Sequence, residues 1–181
     1  MANDFIQAIK VSSREDYALC LEIRRAVFID EQGVNENVEI DSYEKESIHF
    51  LVKRNDKAVS TGRFRLKGNL LKFERIATLS SARGKGMAAK LIEKMQSAAF
   101  NEFPEYLQFM HAQEEVVSFY ERLGWKVIGE SFEEAGIRHR MMIFIPVDFS
   151  KIKKLKCLED PNIPKSISSY LKKKLSKDTG L

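Results

Sequence analysis

A short segment rich in glycine and cations, residues 83–88, has the residue types and spacing that most directly indicate chemistry. It consists of Arg-Gly-Lys-Gly-Met-Ala, after an apolar stretch typical of a strand and before an amphipathic stretch typical of a helix. The first turn of a helix leaves backbone N–H groups without internal partners, its dipole favours negative charge, and glycine lets an anion approach the backbone. The pattern therefore indicates a phosphate-binding turn. For these six residues alone, a glycine turn that merely caps a helix is the alternative.

The elements that must position this turn are predicted from hydrophobic periodicity and turn residues. Helices are expected after a cap at Ser12 or Ser13, after the glycine turn, and over about 114–124. Asn55-Asp56 and Gly68-Asn69 supply turns between three consecutive strands, which predicts an antiparallel meander. The full order β, α, βββ, α, β, α, ββ predicts an α+β fold with a mixed sheet and flanking helices. Strands are expected at about 5–11, 48–54, 58–66, 70–79, 106–112, 125–129 and 139–146.

Several blocks along residues 5–146 occur together in one order. The glycine segment is neither a Walker loop nor a dinucleotide fingerprint, because GxxxxGK[ST] and GxGxxG are absent; it matches R-x-x-G-x-A. With the other blocks, it makes the sequence resemble the GNAT superfamily of acetyl-CoA-dependent N-acyltransferases, and more narrowly its ElaA/YjcF-like branch. The blocks are Arg24–Gly33, Phe73–Ala77, Arg83–Ala88, His111–Gln113, Phe119–Trp125 and Phe132–His139.

The resemblance implies a GNAT-type mixed, mostly antiparallel sheet in which the strands at about 70–79 and 106–112 splay apart around acetyl-CoA, the cosubstrate. The pantetheine arm would pair with Ile76, Ala77 and Thr78. The pyrophosphate would lie on the N–H groups of Gly84, Lys85, Gly86, Met87 and Ala88, with added charge from Arg83 and Lys85. A backbone N–H near Ile76 or Ala77 would polarise the thioester oxygen.

Two side chains are candidates for catalysis. Tyr120 occupies the position of a tyrosine beside the CoA sulfur in many GNAT enzymes. Full proton transfer from a tyrosine of pKa about 10 to a thiolate of pKa about 8.5 is uphill by roughly 2 kcal/mol, which favours hydrogen-bond donation. Glu74 is a candidate general base, directly or through a water. The alternatives are a core aromatic role for Tyr120 and a Glu74–arginine ion pair, with Arg75 on the opposite strand face.

The acceptor pocket is predicted from matches to the same branch. His111, Glu133 and His139 would line it, although a histidine at a strand end is often a hydrogen-bonded structural residue. Residues 33–46, with Glu31 just before them, form an acidic loop that is expected to be exposed, and acids there would suit a cationic amine. Many GNAT enzymes have asparagine four residues before the tyrosine, where this chain has Val116, so Gln113 is the candidate for that CoA contact.

These expectations combine into an acetyl-CoA-dependent N-acetyltransferase, in which a small-molecule primary amine attacks the thioester directly in a ternary complex. Positioning of the reactants would supply much of the rate. One alternative is an amino-sugar-phosphate N-acetyltransferase of the glucosamine-6-phosphate type. The other is a non-catalytic acyl-CoA-binding regulatory module.

Charge and composition limit which other classes of function are expected. The chain of 181 residues has a net charge of +4, but residues 147–181 contain nine Lys and four acids, which leaves −1 for residues 1–146. We therefore expect a nearly neutral catalytic domain over 1–146, with no nucleic-acid partner, and a Lys-rich tail over 147–181 with a short helix. Docking of the tail onto the domain or in a homodimer is favoured over surface binding. Two distant Cys, three scattered His and no long apolar segment predict a cytoplasmic protein without a metal site or integral membrane association.

Overall fold

The computed structural model describes residues 4–145 and 149–176. The strands within these ranges are β1 Ile6–Lys10, β2 Ile48–Arg54, β3 Lys57–Lys67, β4 Leu70–Thr78, β5 Leu107–Gln113, β6 Lys126–Glu134 and β7 Ile137–Phe144. The helices are α1 Arg14–Arg24, α2 Glu36–Glu39, α3 Met87–Glu102, α4 Val117–Arg122, α5 Phe149–Ile152 and α6 Lys165–Ser176. The predicted order of elements and the α+β, mixed and mostly antiparallel fold class are confirmed.

The first compact unit comprises residues 1–65 and 73–102. Its strands β1, β2 and β3 are antiparallel neighbours, and the Asn55-Asp56 turn has positive φ angles of 49° and 63° at these two residues. Ser13 caps α1 by accepting a hydrogen bond from the Asp16 N–H, as the sequence predicts. α1 continues into a π-helical segment, Arg25–Glu31, which leads the chain to the acidic loop.

The second compact unit comprises residues 66–72 and 103–181. In this unit β7 lies between β5 and β6 and is antiparallel to both. β6 and β7 extend further toward each other than predicted, because Ala135 and Gly136, with φ of 52° and 75°, close them into a hairpin. The two strands were expected only at about 125–129 and 139–146.

The described part of the tail packs within the second unit. Ile152, Leu155, Cys157, Ile167 and Leu171 are buried in one cluster with the strand residues Leu107, Phe109, Ile128 and Ile143. Ile167 and Leu171 in this cluster belong to α6, so the described tail residues pack on strands of the same unit. The division into residues 1–146 and 147–181 remains a prediction, and Pro146, Val147, Asp148 and Lys177 lie outside the described residues. None of the described helices is long and apolar enough to cross a membrane.

Candidate active site

The glycine turn lies between β4 and α3 in the first unit. Gly84 and Gly86 have φ angles of 71° and 79°, in the left-handed region that glycine adopts without strain. A Cβ at either position would meet no atom within 4 Å, so backbone conformation rather than crowding requires glycine here. α3 begins at Met87, and the Lys90 N–H donates to the Gly86 carbonyl at 3.1 Å. The N–H groups just before Lys90 have no carbonyl four residues earlier in the helix, which makes this turn suited to an anion.

Arg83 in this turn is bound to Glu31. The Arg83 Nη1 and Nη2 atoms each lie 2.7 Å from a carboxylate oxygen of Glu31. This pairing raises the pKa of Arg83 and lowers the pKa of Glu31, because each hydrogen-bonded partner stabilises the other's charge. Arg83 Nε also donates to the Thr78 carbonyl at 3.1 Å, and Lys85 Nζ to the Ser81 carbonyl at 2.7 Å. Two residues predicted to meet different ligands, Arg83 and Glu31, thus contact each other.

The end of β4 leads directly into this turn. The Ala77 carbonyl accepts from Ser60 Oγ at 2.9 Å, and Ser60 Oγ also lies 2.8 Å from Thr78 Oγ1. Gly62 on β3 leaves room for Ile76, because a Cβ at Gly62 would lie 3.2 Å from Ile76 Cγ1 and 2.9 Å from Met95 Sδ. The predicted pantetheine residues Ile76–Thr78 are therefore fixed by β3 and α3 next to the glycine turn.

Glu74 on β4 is a buried ion-pair partner. Its Oε1 accepts from Arg63 Nη2 at 2.8 Å, Arg63 Nε at 3.1 Å and Arg65 Nε at 2.9 Å. The Glu74–arginine pair, the alternative to a catalytic base, is thus confirmed. These contacts place three N–H donors on one oxygen of the carboxylate.

Glu74 belongs to a larger set of charges that we call the arginine–acid network, formed by Arg24, Arg63, Arg65, Arg75, Glu39, Asp41, Glu44 and Glu74. Arg24 Nε lies 2.6 Å from Glu39, and Arg63 lies 2.7 Å from both Asp41 and Glu44. The prediction of an exposed acidic loop is wrong for Glu39, which is 4% exposed. The loop acids in the network are neutralised by arginines from α1, β3 and β4, which reduces the negative charge they offer a cationic amine.

The expected placement of Arg75 opposite Glu74 is also wrong. Arg75 has a φ of 58°, which interrupts the regular alternation of β4. Its Nη2 reaches Asp41 Oδ2 at 2.8 Å, the same oxygen that Arg63 Nη2 contacts at 2.7 Å. Arg75 and Glu74 therefore join one network through Arg63 and Asp41.

The second unit contains a histidine–glutamate pair. His111 Nδ1 on β5 lies 2.8 Å from Glu134 Oε2 at the end of β6. The Phe132 ring contacts the His111 ring edge-on, with centroids 4.8 Å apart, and stacks on His139 at 6.0 Å. His139 Nδ1 lies 2.8 Å from the Ile137 carbonyl, the structural hydrogen bond expected of a strand histidine.

Sequence reasoning selected Glu133 for this region and missed Glu134. Glu133 and Glu134 are adjacent on β6, so their side chains leave opposite faces of the strand. Because residues two apart on a strand share a face, the side chains of Phe132 and Glu134 both lie on the side of His111. The register of the β6–β7 hairpin, if predicted, would have indicated Glu134.

Tyr120 lies in α4 of the second unit and is 6% exposed. Burial raises the pKa of its hydroxyl, which disfavours proton transfer and is compatible with hydrogen-bond donation. Its ring also contacts Phe119 and Trp125, with centroids 5.0 Å and 6.5 Å away, so it packs as a core aromatic too. Gln113 ends β5, while Val116 is 41% exposed just before α4.

Thiol and metal chemistry find little support in the described part of the chain. Cys20 and Cys157 are free and buried, and burial raises the pKa of both thiols, that of Cys157 to about 11. Within residues 4–145 and 149–176, no three His, Cys, Asp or Glu side chains are grouped to hold a metal ion.

Comparison with known proteins gives consistent matches. The model of the acetyltransferase (GNAT) domain family matches residues 11–145. The N-acetyltransferase YjcF of Bacillus subtilis, described as uncharacterized, is 33% identical over 139 residues, covering 76% of this chain and 99% of that protein. The crystal structure of Escherichia coli ElaA superposes with a TM-score of 0.69 at 23% identity, covering 78% and 99% of the two chains. PaiA N-acetyltransferase from Thermoplasma acidophilum, solved with coenzyme A, gives a TM-score of 0.57 at 14% identity, covering 78% and 99%.

Proposed function

The chain belongs to the GNAT acetyltransferase family, and from this premise we propose that it is an acetyl-CoA-dependent N-acetyltransferase acting on a small-molecule primary amine. The amine attacks the thioester directly in a ternary complex, without a covalent enzyme intermediate. The observation that carries this proposal is the left-handed Gly84–Gly86 turn at the start of the long helix α3.

This turn fits the phosphates of CoA. The space beside both glycines is open, and the N–H groups of residues 84–88 precede or begin α3. Arg83 and Lys85 supply positive charge from the same turn. A coenzyme A complex of a structural neighbour supports the same ligand class for this chain.

We assign the remaining roles within this proposal. Ile76, Ala77 and Thr78 pair with the pantetheine arm, and Gln113 adds a contact to it. Tyr120 donates a hydrogen bond to the thiolate, a role that its raised pKa suits better than proton transfer. Glu31, Glu133, His111 and His139 are assigned to the acceptor. Glu74 remains a candidate base, and its Oε1 accepts hydrogen bonds from Arg63 and Arg65.

Calorimetric titration with CoA tests the proposal. Arg83→Glu reverses a charge at the phosphates, and Gly86→Asp adds both an acid and a residue strained at a φ of 79°. We expect either change to abolish measurable CoA binding. Arg14→Glu is the matched control, because Arg14 is exposed at the start of α1, and it should bind CoA like the wild type. Unchanged binding by the Arg83 and Gly86 variants would contradict the assignment.

Thiol release from acetyl-CoA with a panel of amines separates the alternatives. Turnover of simple primary amines, such as ethanolamine or L-lysine, supports the proposal. Turnover confined to glucosamine 6-phosphate indicates the amino-sugar-phosphate enzyme. Tight CoA binding without turnover of any amine indicates the non-catalytic regulatory module.

A further inference from the structure

We propose that His111 is a catalytic residue, whose Nε2 accepts the proton from the attacking amine, and that Glu134 is its positioning residue, which orients the ring. This inference rests on the proposed function and adds the proton acceptor to it. All the contacts that carry it lie in the second unit.

The hydrogen bond to Glu134 fixes the tautomer of His111. A carboxylate only accepts hydrogen bonds, and the hydrogen bond from His111 lowers the pKa of Glu134 to about 2, so Glu134 is ionised near neutral pH. The 2.8 Å contact therefore requires a hydrogen on His111 Nδ1. In the neutral ring the second nitrogen, Nε2, then carries the lone pair that can take a proton.

Contacts with two aromatic rings fix the orientation of the His111 imidazole. His111 contacts Phe109 on its own strand at 5.9 Å and Phe132 on β6 at 4.8 Å, both edge-on. With the Glu134 hydrogen bond, these contacts hold the imidazole from β5 and β6 across the intervening strand β7. The His111 side chain nevertheless remains 17% exposed.

Glu74, the other candidate base, has different surroundings from His111. The carboxylate of Glu74 is 7% exposed, and three N–H groups of Arg63 and Arg65 donate to one of its oxygens. His111 instead contacts a carboxylate through Nδ1, which leaves Nε2 as the acceptor atom of the neutral ring. Lys72 and His139 are the other titratable groups that act on the Glu134 carboxylate.

The reaction balances as follows: the amine nitrogen forms a bond to the thioester carbon, the C–S bond breaks with its electron pair on sulfur, and the proton leaving nitrogen passes to His111 Nε2. That proton then leaves His111 for the CoA thiolate or solvent, and the ring returns to its starting tautomer. Acetyl-CoA supplies the activated acyl group.

The test uses the full chain with His111→Gln, Glu134→Gln and the double variant. Glu130→Gln is the matched control, because Glu130 is an exposed glutamate on the same strand. We expect His111→Gln to lower kcat by about 10²- to 10⁴-fold, the usual contribution of general base catalysis, and to remove an acid limb from the pH–rate profile. Glu134→Gln keeps a hydrogen-bond acceptor but loses the charge, so kcat should fall, but by less than in His111→Gln. The double variant should be no slower than His111→Gln.

Nuclear magnetic resonance of the His111 ring provides a readout without turnover. The wild type should show hydrogen on Nδ1, and Glu134→Gln should show both tautomers, because a glutamine amide can donate as well as accept, while CoA affinity stays unchanged. A His111→Gln variant with the wild-type rate and profile overturns the pair alone, as does hydrogen on Nε2 in place of Nδ1. A wild type that binds CoA but transfers to no amine overturns the proposed function and the pair together.

Discussion

At the scale of single residues, Glu44 connects the arginine–acid network. Its two carboxylate oxygens accept from Arg24 at 3.0 and 2.7 Å, from Arg63 at 2.7 Å and from the Tyr17 hydroxyl at 3.0 Å. Burial acts to raise the pKa of Glu44, but the hydrogen bonds and charges of Arg24 and Arg63 outweigh it and hold the pKa at about 2. Glu44 therefore stays ionised in the folded protein at pH values that protonate it in the unfolded chain.

We expect Glu44→Gln to lower the free energy of unfolding by about 3–5 kcal/mol, because Arg24 and Arg63 then have one carboxylate fewer to balance their buried charge. Because the pKa falls on folding, the contribution of Glu44 is complete above the unfolded value near 4.5 and is lost as the pH falls toward 2. Denaturant unfolding across pH 2–7 measures both effects, and the variant should show a weaker acid dependence. Glu46→Gln is the control, since Glu46 is 58% exposed and 3.9 Å from Arg65. Equal stabilities of the two variants would contradict this role.

Site residues were predictable from the sequence where the local backbone conformation determines the residue type. The left-handed φ at Gly84 and Gly86 follows from a glycine turn before a helix, which is local information. The partners of Glu74 and Arg83 come from 9 to 52 residues away, so the ion pairs that neutralise them depend on tertiary contacts that the local pattern does not contain. The same is true of Glu134, whose role follows from the register of a hairpin.

At the scale of elements, the π-helical segment Arg25–Glu31 ends at a residue that binds the glycine turn. Glu31 and the CoA phosphates are both anions and would compete for binding to Arg83. Cosubstrate binding is then expected to release Glu31 from Arg83, which links the phosphate site to the segment leading into the acidic loop.

We expect Glu31→Gln to tighten CoA binding by up to about fivefold, because exposed ion pairs contribute modestly and this one competes with the ligand. The gain should shrink as salt is raised, since the competing charges are exposed and screened. Calorimetry at two salt concentrations measures it. Glu36→Gln serves as control, because Glu36 forms a similar exposed pair with Arg25. Unchanged or weaker CoA binding in Glu31→Gln would show that Glu31 does not compete.

Most elements were predicted from periodicity, and the exceptions have physical reasons. β2, β3 and β4 differ by at most one residue at each end from the predicted strands, because turn residues separate them. The short helix α2 was missed because its cap, the Asn35 side chain accepting from the Asn37 N–H, stabilises only four residues. The π-helical segment has the periodicity of neither an α-helix nor a strand.

At the scale of the whole molecule, the tail supplies part of the hydrophobic core of the second unit. The excess of lysine lies in residues 147–181, while the rest of the chain is nearly neutral. Helix α6 has one buried apolar face and one exposed face with lysines. Ile167 and Leu171 are buried, while Lys172, Lys173 and Lys174 are exposed.

We expect Leu171→Ala to lower the free energy of unfolding by about 2–5 kcal/mol, the usual cost of a cavity at a fully buried leucine. Leu171 is 1% exposed within the cluster. Urea unfolding measures the change, and Lys172→Ala on the exposed face of the same helix should be nearly neutral. A Leu171→Ala protein as stable as the wild type would mean that α6 docks without contributing to stability.

The sequence separation within this cluster has a consequence for synthesis of the protein on the ribosome. Leu107, Phe109, Ile128 and Ile143 emerge before the residues at 152–171 that cover them. At about 5–20 residues per second, translation of that covering segment takes on the order of seconds. During that interval the nascent chain presents an apolar sheet face, and we expect chaperones to bind it there. A message truncated after codon 145 would leave that face permanently uncovered and direct the product toward aggregation or degradation.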